Sequence, residues 1–109
     1  MPLQSLGKIT ITAAGTPVRA TNNQTVPSAG LKVQSFAVFA LSTNGGANMY
    51  IGNVSTMNKS TGVGVVGVVP KGTWVAFGVD FAPNGLDVSQ IYLDGDSNSD
   101  AAIVAAVVQ

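Results

Sequence analysis

Short alternating runs of apolar and polar residues, broken by Gly, Pro and Asn, extend along the whole chain. No segment repeats apolar residues at three and four for more than a turn, so the pattern predicts strands rather than helices. The informative stretch is Val88 to Val108 (VSQIYLDGDSNSDAAIVAAVV), which reads as a C-terminal hairpin of two strands around a short polar loop. In its first arm Val88, Gln90, Tyr92 and Asp94 share one face, while Ser89, Ile91 and Leu93 share the other. The second arm, Ile103 to Val108, is apolar on both faces. Such a strand needs cover from a second sheet, a neighbouring subunit, or both.

Earlier runs follow the same logic. Lys8 to Ala13 alternates, with Ile9 and Ile11 facing one way; Val18 to Ala20 is a short strand after Pro17. Leu31 to Leu41 is the longest candidate, alternating at first and apolar on both faces from Phe36 onward. Met49 to Ile51, Gly62 to Val69 and Thr73 to Phe81 complete the set, separated by polar turns such as Ser42 to Asn48 and Pro70-Lys71-Gly72. In Thr73 to Phe81, Val75, Phe77, Val79 and Phe81 form one apolar face, and Trp74, Ala76, Gly78 and Asp80 form the other. The expectation is an all-β chain: one antiparallel β-sandwich or jelly-roll-like domain of about eight strands over residues 1–109. Met1 to Gly7 is expected to be an N-terminal arm free to reach a neighbour.

Composition changes that picture in one respect. Only 9% of the 109 residues are charged, against roughly 25% in an ordinary soluble domain, while 46% are hydrophobic. A domain this small has too much surface to shelter all of that apolar material. The surplus is expected in contacts with other chains. The interface candidates are Phe36, Val38 and Phe39; Val63, Val65, Val66 and Val68; Trp74; and Ile103, Val104 and Val107. The five basic residues are scattered and the net charge is zero, which argues against nucleic acid and against a polybasic membrane anchor. No apolar run is long enough to span a bilayer, and the N-terminus lacks the layout of a secretory signal, so cytoplasmic synthesis is expected.

Candidate chemistry is sparse. With His, Cys and Glu missing, a Ser nucleophile lacks its usual base, and the expectation is no enzyme and no cofactor. Asp94, Asp96, Asn98 and Asp100 place oxygens at alternate positions, as the opening of a calcium loop does. Ser99 stands where that loop wants Gly, and Ala105 where it wants a bidentate acid. The run therefore reads first as a solvated turn and second as a weak calcium site. Gly62, Gly64 and Gly67 have dinucleotide-fingerprint spacing, but Pro70 leaves no room for the required helix, so close backbone approach is the better reading. Trp74, Tyr50 and Tyr92 are candidates for a glycan platform.

Several pieces together, GKITITAAGTPVRAT, LKVQSFAVFA, MYIGN and LDVSQIYLDGDSNSDAAIVAAVV, resemble the small β-sandwich structural proteins of tailed bacteriophage virions, including capsid cement (decoration) proteins. The resemblance implies a non-enzymatic module in the virion, a homodimer or homotrimer bound across major capsid subunits or to another virion protein. The alternative it leaves open is a tail- or fibre-associated module that recognises host glycan.

Overall fold

The computed structural model describes residues 3–20, 32–77, 86–87 and 90–108. These contain nine strands: β1 (Leu3–Thr10), β2 (Val18–Arg19), β3 (Lys32–Ala40), β4 (Asn48–Gly52), β5 (Val65–Pro70), β6 (Trp74–Phe77), β7 (Leu86–Asp87), β8 (Tyr92–Gly95) and β9 (Ala101–Val108). They form two antiparallel sheets. One has the order β1-β9-β3-β6, with β7 also on β3, and the other has the order β2-β8-β4-β5. The all-β sandwich expected from the alternating pattern is present.

Its connectivity has a simple rule once the two-residue β7 is set aside. The first strand pairs with the last (β1 with β9), β2 with β8, β3 with β6, and β4 with β5. That nesting is one long hairpin. Folding it over brings β9 beside β3 and β8 beside β4. The result is a jelly roll. The loops 11–17, 41–47, 71–73 and 96–100 all cross between sheets, and backbone bonds join them at one end. Ser99 N donates to Ile11 O at 2.7 Å and Lys71 N to Ala47 O at 2.9 Å.

The core is what the alternation in each strand delivers. Ile9, Val33, Phe36, Val38, Ala102, Val104 and Ala106 point inward from one sheet; Met49, Ile51, Val69 and Leu93 point inward from the other. Val75 and Phe77 close the side of the sandwich, Phe77 lying edge-on to Phe36 with ring centroids 5.2 Å apart. A Cβ at Gly67 meets Phe77 Cζ at 2.8 Å, so any larger residue there displaces the ring.

Three expectations are corrected. β8 and β9 are not a hairpin: β8 lies in the four-stranded sheet, β9 between β1 and β3 in the other, and loop 96–100 is a corner between layers. The polar side chains of that loop bond to distant backbone instead of closing a tight turn, as described below. Residues 3–7 are strand rather than arm, since Leu3 pairs with Val107 and Ser5 with Ala105. A register shift between Ser5 and Gly7, with Gly7 at φ 85°, interrupts the alternation that would have announced them. Finally, Phe36, Val38 and Val104 are sealed inside the sandwich and offer no surface to another chain.

Phe36 is fully enclosed between the layers, so its removal leaves a cavity that rigid sheets cannot fill. Phe36→Ala is expected to cost about 3–5 kcal/mol, measured as a lower urea midpoint; a shift near zero contradicts the packing described.

Candidate functional site

Two features of the molecule invite a functional reading: the polar corner at residues 94–100, and the apolar side chains that remain outside the core. The corner was the candidate calcium loop. In the structure its four side chains diverge and accept hydrogen bonds from backbone, Asn98 and Asp94 from loop 11–17, Asp96 and Asp100 from residues 45–48. Asp100, fully buried, accepts from Gly45 N (2.9 Å) and Gly46 N (3.3 Å) through Oδ1, and from Ser97 N (3.1 Å) through Oδ2. Asn98 Oδ1 accepts from Ala14 N at 2.8 Å. Asp96 accepts from Asn48 N (3.3 Å) and the Tyr50 hydroxyl (3.0 Å). Asp94 Oδ1 accepts from Gly15 N (3.0 Å) and Gly95 N (2.8 Å).

Asn44 completes the arrangement from the other side. Its amide donates to Ala101 O at 3.0 Å and accepts from Ala101 N at 2.8 Å, so a side chain bonds where a strand neighbour otherwise would. The packing is close enough to select glycine. A Cβ on Gly46 meets Asp96 Cβ at 2.5 Å and Asp100 Oδ2 at 2.6 Å. Ser99 takes the left-handed φ of 70° that this corner demands. Carboxylates bonded to amides in this way gain strength from their charge and fix the loops they touch. Among the described residues, no three His, Cys, Asp or Glu side chains converge as a metal cage.

Asp94 differs from its neighbours. It sits on the outer side of the four-stranded sheet, yet loop 53–64 folds back over it and buries it. That loop is pinned by buried Met57, by an Asn58–Val63 bridge, and by Lys59 Nζ, which donates to Gly95 O and lies 4.0 Å from Asp96 Oδ1. Gly15, Met57, Asn58, Lys59, Ser60 and Asp94 line a cavity of about 210 Å³ beneath it. Asp94 Oδ2 is buried there without a partner among the described residues.

The aromatic candidates do not share one platform. Trp74 is in β6 of the five-stranded sheet, against Phe39 with centroids 5.0 Å apart. Tyr50 and Tyr92 lie in β4 and β8 of the other sheet, where Arg19 Nη2 donates to the Tyr92 hydroxyl at 2.9 Å. Burial first, and then the hydrogen bond to the Asp96 carboxylate, hold the Tyr50 phenol above its ordinary value of about 10.

The remaining apolar candidates face outward. Val63 is 63% exposed, Trp74 55%, Val68 46% and Val66 43%. Phe39, Ile103 and Val107 are half-buried on the outer face of the five-stranded sheet, and Val65 is half-buried in β5. In register, Ile103, Phe39 and Trp74 form a row across β9, β3 and β6. The only charged member in line with them is Lys8 of β1. The corner bonds were the part that sequence reasoning missed; Met57, a large apolar residue in a mostly polar loop, was the available signal for the folded-back segment.

No protein-family model, curated protein or solved structure matches the chain.

Two outcomes follow from the corner. Asp100→Asn turns an acceptor for buried amides into a donor and is expected to lower stability by about 1–3 kcal/mol. Asp94→Asn keeps Oδ1 and replaces the unpartnered oxygen, so its urea midpoint should match or exceed that of the wild type. Equal losses in the two variants contradict this division of labour. At high pH the raised Tyr50 value has a definite sign. The unfolded chain ionises first, near pH 10, so stability falls as pH rises beyond that point. Tyr50→Phe is expected to flatten this alkaline loss; an unchanged slope in pH-dependent melting contradicts it.

Proposed function

We propose that this chain is a non-enzymatic structural protein of a bacteriophage virion, a capsid cement or decoration protein that acts by association with copies of itself and with shell subunits. The observation that carries the reading is the outward placement of Val63, Val66, Val68 and Trp74 on a chain with 9% charged residues. Solvent-facing apolar side chains on both layers favour contact with other protein surfaces. The acidic residues of the corner are engaged by backbone amides, which suits a supporting role better than a chemical one. The resemblance of the strand and corner segments to virion β-sandwich proteins supplies the particular setting, and a jelly roll suits that setting.

A shell offers the same contact at every repeat, so many modest apolar contacts add to firm retention. Each buries area at roughly 25 cal/mol per Å² before the cost of ordering is subtracted. Specific groups are not needed.

The test is co-sedimentation with shells assembled from the major capsid protein of the virus that encodes the chain. The protein is expected to pellet with shells and to raise their disruption temperature. Trp74→Lys, at an exposed position, should weaken retention with the melting temperature of the free protein unchanged. A wild-type chain left in the supernatant overturns the proposal; a response of Trp fluorescence to sugars instead favours glycan recognition.

A further inference from the structure

Among the described residues β5 is an edge of the four-stranded sheet, hydrogen-bonded to β4 on one side only. Its sequence, VVGVVP, carries no charge, and Val66 and Val68 stand out from it into solvent. Edge strands are usually guarded by a charge or an early proline, because their free amides and carbonyls pair readily with another strand. Here the proline is the last residue of the strand, and the preceding five residues carry neither a charge nor a proline.

Which strand such an edge accepts is set by symmetry. Two copies pairing antiparallel about a two-fold axis must align residues of the same facing, so the axis passes through a residue and its own counterpart. Val65-Val66-Gly67-Val68-Val69 reads the same in both directions about Gly67. With the axis at Gly67, Val66 of one copy lies opposite Val68 of the second, and Val65 opposite Val69. Valine meets valine throughout, and the residue at the axis carries no side chain. Valine pairs of this kind are favourable cross-strand neighbours. The register on β4 shifts between Gly67 and Val65, which makes Val66 the extra residue of a bulge, so the regular stretch is short and the pairing with it.

We infer that β5 is a self-pairing edge: two copies of this chain join antiparallel across Gly67, extending the β2-β8-β4-β5 sheet into a continuous eight-stranded one. The exposed valines, Val66 and Val68 from each copy, form a shared apolar cluster on its outer face. This inference deepens the association reading and rests on it, naming the surface through which copies meet. A pairing of this length gives a reversible dimer. The outer face of the five-stranded sheet, with Phe39, Trp74 and Ile103, is left free for a different partner.

Sedimentation velocity over a range of concentrations tests it, with Val68→Lys as the disrupting variant. The wild type is expected to pass from monomer to dimer as concentration rises. Val68→Lys should stay monomeric with an unchanged melting temperature, because the side chain is already exposed. Register is tested by cysteines, which the chain otherwise lacks. A mixture of Val66→Cys and Val68→Cys proteins should form disulfide dimers faster than either protein alone. A wild type that is monomeric at every concentration, a Val68→Lys dimer, or equal cross-linking by the single variants overturns the inference. Shell binding by a chain that stays monomeric overturns the edge pairing alone and leaves the cement reading standing.

Discussion

The acceptance of backbone amides by acid and amide side chains at residues 94–100, with Asp94 and Asp100 buried, is the constraint on which this fold depends. Asp100 alone joins the 41–47 loop to its own turn, and Asn98 and Asp94 reach Ala14 and Gly15. A jelly roll needs every crossing loop at one end to be held while its strands part into opposite layers. Short hydrophobic strands cannot do that, because burial has no direction. Hydrogen bonds from charged acceptors do have direction. They also meet the requirement that backbone amides in tightly packed loops find partners.

That use of the acids explains the rest of the surface. Asp94 and Asp100 are buried in the corner and are not displayed to solvent, and few other charges exist to take their place. The outer face of the five-stranded sheet carries Phe39, Trp74, Ile103 and Val107, and β5 carries exposed Val66 and Val68. One sheet presents a row across three strands, and the other presents an edge. These are two different apolar surfaces on one small body.

Much of the framework was legible in the residues. Period-two alternation located β3, β4 and β6, and put Val75 and Phe77 on one face and Trp74 on the other, as the sheet has them. Where both faces are apolar, as from Phe36 onward and in Ile103 to Val108, alternation does not say which face is inner. Phe36, Val38 and Val104 therefore stood among surface candidates until the sheets showed otherwise. The corner was misread as a hairpin tip for a deeper reason. Asp, Asn, Gly and Ser are the residues of any turn. Their true partners lie 55 residues away at Gly45 and 84 at Ala14, and no local pattern carries that information.

Native-state hydrogen exchange tests the central claim most directly. If the corner belongs to the cooperative core, the amides of Gly45, Gly46 and Ser97 should exchange only through global unfolding, as slowly as those of β3 and β9. Exchange of these loop amides through local opening, orders of magnitude faster than the core strands, would show that the acids decorate the fold rather than hold it.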